Sequence, residues 1–169
     1  MASVSQLSES LADVLGEPPE KVAKYARALI DGGLLPKSRG RAVAQVGLIH
    51  YARLLTALAL EPKIKEAAEL TASYLAMPIA GKTAEGDFVS GNKTASDGLV
   101  RLFSMILDDD PAKDAIALRK LLNKGAVQIV RNFPLIEISY PHELGGYEII
   151  RFKPVGHPMD IDRAHIRRA

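Results

Sequence analysis

Six basic side chains near the start of the chain are the residues whose type and spacing suit a definite chemistry: Lys21, Lys24, Arg27, Lys37, Arg39 and Arg41. Ammonium and guanidinium groups donate hydrogen bonds and carry fixed positive charge. Clustered on one element, they suit phosphate oxygens and the acceptor edges of bases. Between residues 20 and 45 these six cations meet only Glu20 and Asp31, a local balance of +4, while the whole 169-residue chain carries +2. Residues 61–150 hold ten Lys or Arg against thirteen Asp or Glu, and residues 151–169 hold five against two. The positive excess therefore lies at the two ends, and a polyanion is the expected partner of the first.

Other chemistries find little support. Cysteine is absent, which excludes disulfides, thiolate metal sites and a cysteine nucleophile. Gly81-Lys82-Thr83 matches the end of a phosphate-binding loop, but that motif needs a glycine where Ala76 stands and a preceding strand where the pattern reads helical. His157, Asp160, Asp162 and His165 are of metal-ligating types, yet they sit among Pro158, Arg163, Arg167 and Arg168, so a solvated tail is expected. Asp108 to Asp110 read as helix-capping carboxylates, His50 as a packing or surface residue, and His142 as solvated in a turn. No Gly-x-Ser-x-Gly elbow occurs, and no nucleophile is paired with a base. Neither an enzyme nor a cofactor is expected.

The elements that would position the six cations follow from periodicity. Ser5 or Ser8 is expected to cap a first helix ending near Leu15. Gly16 supplies a turn residue that tolerates positive φ, four positions after the small Ala12, where a second helix can cross. Pro18 and Pro19 are compatible with a helix start, and Val22, Tyr25, Ala26 and Leu29 give the next helix an apolar stripe running to Asp31. Gly32-Gly33 stops it, and Lys37 to Val46 form a basic loop or short wing. Gly47 to Leu60 is the most apolar helix, expected to be buried on several sides or by a partner subunit.

Further helices are expected over Pro62–Leu75, Thr94–Leu107 and Asp110–Lys124, with a long loop from Pro78 to Lys93. The period then changes to that of strands over Val127–Arg131, Leu135–Tyr140 and Tyr147–Phe152. The fold class is thus mainly α with a small C-terminal antiparallel β meander or hairpin. The expected domains are a helix-turn-helix over 1–60, a helical and β oligomerisation or partner region over 61–153, and a basic tail over 154–169.

Leu11 to Arg41 resembles bacterial and phage winged helix-turn-helix regulators. The run Gly33-Leu34-Leu35-Pro36 followed by Arg39-Gly40-Arg41 is similar to the MerR-type segment, in which such a run leads to a basic wing and a further helix. The second helix departs from that pattern by about one additional turn, so effector sensing and promoter untwisting are not carried over.

The resemblance implies that the second helix enters the major groove of double-stranded DNA, with Glu20, Lys21, Lys24 and Arg27 near base edges, where the acid of Glu20 is electrostatically awkward but can accept from a cytosine amine. Arg39 and Arg41 would reach phosphates or the minor groove from the wing, and Lys37 is a further expected DNA contact. The implied role is sequence-specific transcriptional regulation by a homo-oligomer, most simply a dimer. Two alternatives remain: a recognition subunit similar in architecture to phage small terminases, and a protein-interaction module that adds its strands to a partner's sheet. The first residues lack the basic and apolar regions of a signal peptide, and no apolar run is long enough to cross a bilayer. A cytoplasmic protein that does not engage membranes is therefore expected.

Overall fold

A computed structural model describes residues 2–38, 43–79, 94–107, 124–141 and 147–154. The chain divides into two compact units, Met1–Leu75 and Ala76–Ala169. The boundary lies one helix later than the expected one at residue 60, because the helix that follows packs back on the first unit. The expected helix over Asp110–Lys124, the Gly81-Lys82-Thr83 and Asp108–Asp110 motifs, His142 and nearly all of the tail lie outside the described residues.

The N-terminal unit begins with a two-residue strand, β1 (Ala2–Ser3), and α1 (Val4–Leu15). Ser3, rather than Ser5 or Ser8, is the N-cap. Its Oγ accepts from Gln6 N at 3.2 Å, and Gln6 Oε1 accepts from Ser3 N at 2.9 Å. This reciprocal box satisfies two donors, which neither later serine can do. Ser8 Oγ instead donates to Val4 O, and Ser5 Oγ to Glu9. At the other end Gly16 takes φ 65°, a conformation that costs a side-chain-bearing residue about 1 kcal/mol, and α2 (Pro19–Asp31) follows after three residues. Ala12, Leu7 and Leu11 of α1 are buried against Val22, Ala26 and Leu29 of α2.

The two glycines after α2 do different work. Gly33 takes φ 75° and turns the chain, while Gly32 lies where α4 (Ala67–Leu75) crosses. A Cβ built on Gly32 would stand 2.2 Å from Ala68 Cβ, so only glycine permits this approach. β2 (Gln45–Val46) pairs antiparallel with β1, Ala2 opposite Val46, and leads into α3 (Leu48–Leu60). The expected helix from Pro62 starts instead with a 3-10 turn, Ile64–Glu66, before α4. Glu61 leaves α3 in the left-handed region, at φ 44° and ψ 49°, breaking the path between the two helices. Of the apolar residues of α3, Leu54, Ala57 and Leu58 join the core cluster of α1 and α2, Ala52 and Leu60 are also buried, and both α2 and α4 pack on α3.

The second unit pairs α5 (Ala95–Leu107) with a three-stranded antiparallel sheet, β3 (Ala126–Val130), β4 (Leu135–Pro141) and β5 (Tyr147–Phe152), in the order β3-β4-β5. Thr94 caps α5 and exchanges hydrogen bonds with Asp97. Alternation places Val127, Ile138 and Ile150 in one cross-strand row and Ile129, Ile136 and Phe152 in the next. Phe152 is fully buried, and a Cβ on Gly98 of α5 would stand 2.6 Å from its Cζ. The opposite rows carry Gln128, Glu137 and Arg151, and Arg151 Nε donates to Glu137 Oε2 at 2.7 Å. The architecture is the expected α+β one, with all three strands within one residue of their predicted bounds.

Both close approaches are testable. Gly32→Ala and Gly98→Ala are each expected to destabilise the protein by about 1–3 kcal/mol through overpacking. Differential scanning calorimetry of the full chain reads this as a lowered unfolding midpoint. An unchanged midpoint in either variant would mean that the corresponding helix does not approach as described.

Candidate nucleic-acid interface

The side chains of α2 divide into three stripes. Val22, Ala26 and Leu29 face the core. Lys21, Tyr25 and Gly32, at i, i+4 and i+11, face the segment from Glu61 to Ala68. Glu20, Ala23, Lys24, Arg27 and Asp31 are exposed and form the third stripe.

The second stripe fixes the helix. Lys21 Nζ donates to both oxygens of Glu17, each at 2.9 Å, and also to Glu61 Oε1. These bonds, the one from Glu61 foremost and that from Glu17 next, hold the Lys21 ammonium above the usual lysine pKa. One turn further along, Tyr25 Oη donates to Pro62 O at 2.8 Å. At the C-terminal end Gly32 meets Ala68.

The expected cations are therefore placed differently from one another. Lys21 is held between two carboxylates. Lys24 is exposed and makes no ion pair among the described residues. Arg27 Nε donates to Asp31 Oδ2 at 3.2 Å, but the two side chains are 73% and 56% exposed, so solvent and salt screen this pair and the guanidinium is readily exchanged. Lys37 is exposed beyond the end of α2. Arg39 and Arg41 lie outside the described residues. On either side of them, Ser38 Oγ accepts from Ala44 N at 3.1 Å, and the β1–β2 ladder follows immediately, so the ends of this loop are held together.

Two further residues shape the surface without having been singled out for it. Arg53 of α3 donates through Nη1 to Leu34 O at 2.7 Å, tying α3 to the turn after α2. Its signal in the sequence is only a lone cation in an apolar helix. His50 Nδ1 accepts from Gly47 N at 2.9 Å and so caps the start of α3. That bond requires an unprotonated Nδ1. Burial first, and the Arg53 charge second, lower the pKa of His50 below the ordinary histidine value. Among the described residues no cluster of His, Asp or Glu is arranged to hold a metal ion, and no helix is long and apolar enough to cross a membrane.

No protein-family model, no curated protein and no solved structure matches this chain. The surface is therefore read from its own geometry.

The His50 cap carries a pH dependence of definite sign. A histidine with a lowered folded pKa stabilises the native state fully above its unfolded pKa of about 6.5, and that contribution is lost as pH falls through the folded value. His50→Gln keeps an acceptor, as Gln6 does at the start of α1, but does not titrate. The drop in unfolding midpoint between about pH 7.5 and about pH 5 is expected to be smaller in this variant than in the native chain. Equal drops would remove His50 as the titrating group.

Proposed function

We propose that the N-terminal unit binds double-stranded DNA through the exposed stripe of α2 and the basic loop after it, and that the protein acts as a sequence-specific regulator of transcription. One observation carries this reading. A helix pair joined by a three-residue turn leaves Lys24 and Arg27 on an open face of the second helix, while β1–β2 pairing anchors the loop that contains Lys37, Arg39 and Arg41. The order of turn, basic segment and further helix is also what the resemblance of Gly33 to Arg41 implies. An α-helix with one free face fits the major groove, and cations on the flanking loop can reach phosphates.

A second reading, a protein-interaction module, draws on a different observation. The exposed stripe of α2 carries Glu20 and Asp31 as well as Lys24 and Arg27, a balanced surface that also suits a protein partner. Salt dependence separates the two, because DNA binding releases counterions in proportion to the phosphates neutralised.

Fluorescence anisotropy with random-sequence duplex DNA across a salt series tests the proposal. Three exposed cations, Lys24, Arg27 and Lys37, set an expected log–log slope of about −3 or steeper. Lys24→Gln and Lys37→Gln are each expected to reduce that slope by about one if they contact phosphate, and Arg27→Gln to cost about 1–3 kcal/mol on a selected target if it reads a base. Absence of binding at low salt would overturn the DNA reading in favour of the interaction module.

A further inference from the structure

We infer that the Glu17–Lys21–Glu61 clamp is the positioning device for the N-terminal turn of α2, and that Lys21 is a positioning residue and not a DNA contact. The inference rests on the DNA-binding reading above. An ammonium has three N–H donors, and here three carboxylate oxygens accept from it, two on Glu17 and one on Glu61. No donor is left for a phosphate. The clamp also does what the helix start lacks. Pro18 occupies the N-cap position and provides no side-chain cap, so the first turn of α2 has no local side-chain anchor of the kind that Ser3 gives α1. Lys21 joins that turn both to the preceding inter-helix turn and to the end of α3.

Glu61 supplies the second argument. Among the described residues it is the non-glycine residue with positive φ, at 44°. Glycine is the favoured residue at such a helix end, and a side chain there is strained. Its N–H donates to Ala57 O at 3.0 Å, a bond that glycine would make equally well. What glycine could not supply is the carboxylate that reaches Lys21. The backbone strain is thus tolerated for a side-chain contact with the helix proposed to enter the groove, across forty positions of sequence.

The test uses the full chain and random-sequence duplex DNA, with affinity across salt and the unfolding midpoint measured for the native protein, Glu61→Gly and Glu17→Gln. In Glu61→Gly, relief of the positive-φ strain offsets the loss of an ion pair whose side chains are 29% and 38% exposed, so the midpoint is expected to stay within about 2 °C of the native value. Affinity is nevertheless expected to fall about tenfold, the size of one lost contact, at every salt concentration and with an unchanged salt slope. Glu17→Gln, at an ordinary backbone position, is expected to weaken binding in the same way and reads the clamp independently if Glu61→Gly folds poorly. Both variants remove a negative charge, so acids that merely repelled phosphate would give tighter binding on substitution. Native or tighter affinity in both variants overturns the inference, as does a slope reduced by about one in Lys21→Gln, which would make Lys21 a phosphate contact. A native protein that binds no duplex is recognised before any variant is measured, and it overturns the DNA reading and this inference together.

Discussion

The N-terminal unit depends on one seam, the stripe of α2 that faces the segment after α3. Lys21, Tyr25 and Gly32 recur along α2 so as to meet Glu61, Pro62 and Ala68 in turn. The three contacts differ in kind: a charge clamp, a hydroxyl donated to a carbonyl, and a backbone approach possible only without a Cβ. A helix held at its start, middle and end by different physics cannot slide or roll to satisfy one contact without losing another. Since the core stripe of Val22, Ala26 and Leu29 is already buried, the seam leaves one free face on α2, and that face alone is available to a partner.

The same seam accounts for the extent of the unit. α3 alone offers more apolar surface than a solvent-facing helix tolerates, and its composition suggests burial on several sides or by a second subunit. Within the chain, α2 and α4 cover it, and Leu54, Ala57 and Leu58 join the core made by α1 and α2. Hydrophobic burial is worth roughly 1.5–3 kcal/mol for a fully buried leucine, and Leu54 is buried in this way inside the chain. Among the described residues, the large apolar side chains that remain exposed are the neighbours Val14 and Leu15 at the end of α1, with Val43, Ile64 and Ile149 elsewhere.

What the sequence made legible was governed by distance along the chain. The turn at Gly16, the helix start at Pro19, the stop at Gly32-Gly33, the Thr94 cap and the three strands all rest on interactions spanning a few residues or on simple alternation. The misplaced first cap is a case of the same kind: a serine three residues before Gln6 forms a reciprocal box, whereas Ser5 and Ser8 bond within the helix. The contacts of the seam are different. Nothing local marks Glu61 as the partner of Lys21, or Ala68 as the residue that forbids a side chain at position 32. Gly32 and Gly33 look interchangeable in sequence, yet one serves a dihedral angle and the other a packing distance. Of the six expected contact residues, Lys24, Arg27 and Lys37 are exposed, while Lys21 lies on the stripe that meets Glu61.

Charge shows why that distinction matters for function. The balance of +4 over residues 20–45 counts Lys21 as available but omits Glu17 and Glu61, the two carboxylates that occupy it, because both fall outside the window. A count by face gives another distribution. The open stripe of α2 has two acids and two bases, and the seam consumes a third base, so the remaining excess of basic residues in the sequence lies at Lys37, Arg39 and Arg41. On the DNA reading this divides the labour between two elements. The helix, where Glu20 and Asp31 offset Lys24 and Arg27 in net charge, adds less sequence-independent affinity than an all-basic face would, and the two acids disfavour approaches in which Lys24 and Arg27 are poorly matched. The loop, with charge and no competing acid in its own sequence, supplies attraction to any phosphate backbone. Affinity and selectivity would then be alterable separately, the first through the loop and the second through the face that the seam leaves exposed.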